Sequence, residues 1–335
     1  MTFLIIIIIL ALFFDFSNGF HDAANSIATI VSTKVLTPFQ AVLWAAAFNF
    51  VAFFVFREHK VAETIAGIIS SELIGFEVIL AATIAAIFWN LLTWWYGIPS
   101  SSSHTLIGGL AGAGIAAAGG FSGVNSAPIE KAVIFMVLSP IIGLILAFIV
   151  SIVVINLSKN SRPSKAESVF KKLQLVSSAA LSLAHGGGDS QKTMGLIFTA
   201  LWFFAKSNGS TATLHNFPMP NWLPLACYTA IALGTMSGGW KIVKTMGTKI
   251  TKVTPLEGVC AEGAGAITLY LTILLGIPVS TTHTLTGAII GVGATKRLSA
   301  VRWGVTFNLI WAWILTIPVS ALISGILYYL IHLIH

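Results

Sequence analysis

Charge is scarce in this sequence. Only 9% of its 335 residues are Asp, Glu, Lys or Arg, against about 25% in an ordinary soluble domain. That scarcity excludes a soluble globular domain, and the 56% hydrophobic content excludes disorder. Cysteine is scarce too. Cys227 and Cys260 both lie in apolar segments, which suits two buried thiols better than a disulfide or a metal site. The first residues lack the basic n-region and small-residue cleavage site of a signal peptide, so they read as a first membrane helix. The net charge of +7 falls in short loops, where it sets orientation and implies no nucleic-acid partner.

What is present is a series of apolar runs near the ~20 residues that cross a bilayer. They predict an all-α polytopic membrane protein with spans at about 2–35, 39–56, 77–96, 98–119 and 130–157, then 173–205, 222–238, 255–275, 277–295 and 303–333. The polar stretch 158–172 divides the chain into a first half (1–157) and a second half (173–335). The halves repeat each other. Gly97-Ile98-Pro99-Ser100-Ser101-Ser102-Ser103-His104-Thr105-Leu106-Ile107-Gly108 returns as Gly276-Ile277-Pro278-Val279-Ser280-Thr281-Thr282-His283-Thr284-Leu285-Thr286-Gly287, with Gly112/Gly291 and Gly114/Gly293 beyond. Five crossings per half make the second copy upside down. Charge agrees: residues 57–77 hold two Lys/Arg against four Glu, whereas 238–257 hold four Lys and one Glu. The positive-inside rule then places 158–172, 239–252 and 296–302 in the cytoplasm and both termini outside. Inverted repeats around a midplane polar site characterise secondary transporters.

Two apolar runs carry polar interruptions, Asp15 to Ser26 and Leu183 to Lys192. An ionised Asp at the bilayer centre costs at least ~2.5–3.5 kcal/mol, and irregular backbone at that depth is tolerated only where it lines a cavity or is buried in protein. Broken helices are therefore expected at both places, with re-entrant polar tips at the G-I-P frames. Pro99 and Pro278 suit a first helical turn. Ser101, Ser102, Ser103 and Ser280, Thr281, Thr282 would then line helix N-termini, where free N–H groups, hydroxyls and the dipole hold oxyanions. Thr105 and Thr284 extend this set. The bland alternative for each hydroxyl is a bond to its own backbone. Asp22 and Asp189, with Asn25 and Gln191 amides, form a candidate cage for a small cation, or the carboxylates carry protons. Their bland alternative is a cap or an ion pair, such as Asp189 with Lys192. Asp15, less well matched in the second half, stays open between a structural and a functional role. His21, His104, His283 and Lys192 are candidate supports around the site, and no structural metal or cofactor is expected.

Gly19-Phe20-His21-Asp22-Ala23-Ala24-Asn25, His185-Gly186-Gly187-Gly188-Asp189-Ser190-Gln191-Lys192 and the duplicated frame resemble the inorganic phosphate transporter (PiT) family across nearly the whole chain. The family signature commonly reads G-A-N-D-V-A-N in both copies. Here His21 and Gly188 stand at its asparagines, and Gln191-Lys192 replaces the second Ala-Asn, as in the bacterial low-affinity branch. The resemblance implies import of inorganic phosphate, or of a metal–phosphate complex, by symport with Na+ or H+. It also implies a bacterial inner membrane and a possible homodimer. A sulfate permease of the same fold and a passive anion channel are alternatives. An intramembrane serine hydrolase is a distant one, since adjacency of Ser103 and His104 makes no triad.

Overall fold

With no water at membrane depth, a backbone must satisfy its own hydrogen bonds, and the apolar runs do so as helices. The computed structural model describes residues 1–334. They form α1 (Thr2–Ser32), α2 (Pro38–Val55), a short α3 (Lys60–Ala66), α4 (Phe76–Tyr96), α5 (Ser102–Ala118) and α6 (Ser126–Ser158). The second set is α7 (Pro163–Ser207), α8 (Trp222–Ser237), a short α9 (Trp240–Lys244), α10 (Pro255–Leu274), α11 (Thr281–Lys296) and α12 (Trp303–Ile334). Starts are written locally: Thr37-Pro38 with Gln40, and Thr254-Pro255 with Glu257, are capping boxes with proline in the first turn. Both cysteines are free and buried.

Among the described residues, six helices are long and apolar enough to cross a membrane: α1, α2, α4, α6, α10 and α12. The ten crossings expected are thus not all supported by length and composition. α5, α8 and α11 have 17, 16 and 16 residues, and α7 is interrupted by polar side chains. Most of the stretch expected as a loop at 158–172 is helical, because α7 begins at Pro163.

The expected breaks are absent. α1 runs unbroken through Asp15–Ser26, and α7 runs for 45 residues through His185–Lys192. The reason is that neighbouring helices supply partners to the polar side chains, so the backbone keeps its own bonds. The glycines serve contact instead: a Cβ on Gly19 would lie 2.3 Å from the Ile231 carbonyl oxygen, and one on Gly186 would lie 2.7 Å from the Asn49 backbone.

Packing exchanges elements between the two sets. α1 lies on α8 and α4; α7 lies on α2 and α10. α5 is held by α12, and α11 by α6, so each tip helix is gripped by the last helix of the other half. These grips depend on small residues, as in lipid-embedded bundles. A Cβ on Gly112 would sit 2.0 Å from the Ala321 carbonyl oxygen, and one on Gly291 2.3 Å from that of Leu144. Gly112→Ala and Gly291→Ala are each expected to destabilise the detergent-solubilised protein by about 1–3 kcal/mol. Gly304→Ala, with open space around it, is expected to change stability by under about 0.5 kcal/mol. Thermal unfolding of the three variants checks this.

Candidate functional site

The duplicated frame is a turn with a cap. Gly97 and Gly276 take left-handed φ values of 67° and 66°, which end the preceding helix at little steric cost. Pro99 and Pro278 lie in the connector, not in the first turn as expected, because Ser101 and Ser280 are the N-caps. Each cap hydroxyl accepts from the N–H three residues on, His104 and His283, at 3.2 Å. Thr105 and Thr284 donate back to the Ser101 and Ser280 carbonyls at 2.8 and 2.9 Å. These four hydroxyls are therefore occupied within their own turns, as the bland alternative has it.

The other four meet across the molecule. Ser102 Oγ donates to Asp22 Oδ2 at 3.2 Å, and Ser103 Oγ donates to the Val279 carbonyl of the opposite tip at 3.0 Å. Asn25 Nδ2 donates to Thr281 and Thr282 hydroxyls at 3.0 and 2.9 Å. Behind the tips, the His104 and His283 rings lie 4.8 Å apart, and His283 stacks on Trp313 at 3.9 Å. These imidazoles brace the two tips against each other and against α12.

α1 and α7 supply the charged floor. On an unbroken helix, Asn18, Asp22, Asn25 and Thr29 share a face, as do His185, Asp189 and Lys192. Asp189 accepts from Lys192 Nζ at 2.5 Å and from Asn18 Nδ2 at 3.2 Å. His185 Nε2 lies 3.5 Å from the same carboxylate. Lys192 also donates to Ser103 Oγ and, at 3.0 Å, to the Val279 carbonyl. Expected at the edge, this lysine is central and ties α7 to both tips. His21 Nδ1–H donates to Asp22 Oδ1 at 2.6 Å, which leaves Nε2 to accept from Thr93 at 3.1 Å. Gln191 is not brought in. Its carbonyl accepts the Val61 N–H at 3.1 Å and its amide donates to the Glu58 carbonyl at 3.4 Å, so it caps α3.

Carboxylate or imidazole atoms of Asp22, His185 and Asp189 lie within 4.8 Å of one another. Every oxygen of the two aspartates nevertheless has a protein donor, and an ammonium supplies the positive charge. The cluster thus pairs two carboxylates with neutral donors and one ammonium. The cavity beside it is about 10 Å³, room for about one water. Sequence reasoning passed over Asn18, His185, Thr93 and Ser100, the last of which donates to the Thr93 hydroxyl at 2.9 Å. The i−4 spacing of Asn18 to Asp22 and of His185 to Asp189 was the available signal, and it is invisible if the helices are taken as broken. A second buried acid, Glu262 of α10, was also passed over. It accepts from Thr29 at 2.5 Å, Gln174 at 2.9 Å and Ser177 at 2.5 Å.

Apolar spanning helices around a closed, hydroxyl-rich, charge-paired centre define an integral membrane protein with a buried polar core. Residues 18–324 match the phosphate transporter family, and the chain belongs to that family. It is similar to a probable low-affinity inorganic phosphate transporter of Rhizobium meliloti (strain 1021), 54% identical over 96% of this chain and 95% of that protein. A protein of the same description in Bacillus subtilis (strain 168) is 45% identical over 98% and 97%. A solved structure titled "The sodium-dependent phosphate transporter" superposes with a TM-score of 0.88 at 28% identity, covering 100% of both chains. These relatives are named as transporters and not as enzymes. Lys192→Met, which strands a buried carboxylate, is expected to cost about 3–5 kcal/mol of stability. Adding Asp189→Asn should recover most of that loss in the same unfolding assay.

Proposed function

We propose that this protein imports inorganic phosphate across a bacterial plasma membrane by symport with a proton, through alternating access of two inverted repeats with both termini outside. The observation that carries this reading is the meeting of two hydroxylated helix N-termini over Asp22, Asn25 and Lys192. The groups that close the tips, Ser102, Ser103, Asn25 and Lys192 as donors and Thr281 and Thr282 as acceptors, all carry an N–H or O–H that a phosphate oxygen can accept. Asp22 accepts a hydrogen bond from a protonated phosphate oxygen. Sulfate has no such proton, which favours phosphate over the sulfate alternative.

Charge sets the coupling. Moving one elementary charge across ~100 mV is worth ~2.3 kcal/mol, so a dianion entering a negative cell opposes about 4.6 kcal/mol. A monoanion with two protons enters with the potential, and a neutral metal–phosphate complex needs only one. The similar solved structure is titled sodium-dependent, which keeps sodium as the second reading. Lys192 supports the proton, because its ammonium already neutralises the carboxylate a sodium ion would use.

Asp22→Asn in correctly inserted protein is expected to lower the initial rate of labelled phosphate uptake at least about tenfold, converting to about 1.4 kcal/mol or more. Uptake at the parent rate contradicts the carboxylate's role. Unlabelled sulfate in tenfold excess is expected to leave uptake by the parent protein nearly unchanged, and strong competition favours the sulfate alternative.

A further inference from the structure

Every other buried acid at or beside the site has donors. Asp22 has His21 and Ser102, Asp189 has Lys192 and Asn18, and Glu262 has Thr29, Gln174 and Ser177. Asp15 is different. It is completely buried, and neither carboxylate oxygen has a hydrogen-bond partner among the described residues. Thr193 faces it without completing a hydrogen bond.

Its position is not accidental to the site. Asp15, Asn18, Asp22, Asn25 and Thr29 follow one another on α1 at three- and four-residue steps, one continuous stripe. Asp15 stands seven residues before Asp22, about 10 Å up the helix axis. The charged and titratable groups whose fields reach it are Asp189 and Lys192 of α7 and Cys227 and Tyr228 of α8. Lys192 is committed to Asp189, Ser103 and the Val279 carbonyl, so it gives Asp15 no direct pairing.

We infer that Asp15 is the carboxyl group that takes up and releases a coupling proton in each transport cycle. This rests on the proton-symport reading above. A buried carboxyl without a partner is stable as the neutral acid, so the closed protein holds a proton there. Three aspartates surround one lysine in this interior. With Asp15 ionised, the centre already carries an excess of negative charge before an anionic phosphate arrives. With Asp15 neutral, Lys192 offsets one of the two remaining carboxylates, the excess of negative charge is smaller, and enclosing an anionic phosphate costs less. Occupation by phosphate and protonation of Asp15 are thereby linked. The carboxylate oxygen gains its proton from water on the entry side and loses it to water on the other side when α1 and α7 part. No bond other than O–H is made or broken.

The test uses the full-length protein in proteoliposomes, with two assays of labelled phosphate. One is accumulation driven by an imposed proton gradient. The other is exchange of internal for external phosphate at equal pH. Asp15→Asn, a fixed mimic of the neutral acid, is expected to exchange within about twofold of the parent rate and to lose at least tenfold of the proton-driven accumulation. Asp15→Glu is expected to restore accumulation with its pH dependence displaced. An Asp15→Asn protein that accumulates phosphate like the parent overturns the assignment. So does a folded Asp15→Asn variant that loses exchange, or an Asp15→Glu variant with the parent's pH profile. The Glu arm stands even where the Asn variant does not fold. A parent protein driven by sodium alone overturns the symport reading together with this one, whereas proton-driven accumulation in both parent and Asp15→Asn overturns this one only.

Discussion

An ammonium taken out of water must be fully paired, and Lys192 is paired to three partners from three parts of the chain. It meets the Asp189 carboxylate on its own helix, the Ser103 hydroxyl on one tip and the Val279 carbonyl on the other. The cost of removing this charge and its partner from water is several kcal/mol per ion, which is recovered only while all three contacts hold. The closed centre is therefore a state that depends on one side chain. Whatever draws Lys192 away, or supplies its partners with substitutes, also loosens the tips from each other. A tetrahedral anion is suited to the first, because its oxygens can accept from the same ammonium and the same hydroxyls.

That arrangement is possible only because the tips are brought together by packing elsewhere. Each tip helix belongs to one half of the chain and is held by the last helix of the other, α5 by α12 and α11 by α6. Backbones at these crossings approach too closely for any side chain beyond hydrogen at Gly112 and Gly291. A shift of α6 or α12 is therefore transmitted to the opposite tip with little slack. The two halves are not equivalent at the centre, however. Asp22 is served by a histidine and a serine, and Asp189 by a lysine and an asparagine. The repeat supplies the frame, and the differences between copies supply the chemistry.

The apolar runs and the duplicated G-I-P frame could be read from the chain because both are local: helix formation, a left-handed glycine and a serine cap need only neighbouring residues. The meeting of the two tips could be anticipated from their duplication. The continuity of α1 and α7 could not, since the partners that make their polar residues tolerable lie far away in sequence, as Asn18 does from Asp189 and Asn25 from Thr281. Taking those helices as broken hides the i−4 relation that places Asn18 and His185 on the working face. Thr105 and Thr284 look the same in sequence as Ser102 and Thr282, and only the fold decides which hydroxyl turns to its own carbonyl. Gln191 and Lys192 are neighbours whose helical directions send one to cap α3 and the other to the centre.

The central claim is that the two tips hold one tetrahedral oxyanion between them. Arsenate has the shape and protonation pattern of phosphate and contains an atom with a distinctive X-ray absorption edge. Crystals grown with arsenate should give an anomalous peak within hydrogen-bonding reach of Ser102, Ser103, Thr281 and Thr282, with Lys192 turned toward it. A peak only outside the tips, with Ser103 and Lys192 still bonded to the Val279 carbonyl, would contradict the account.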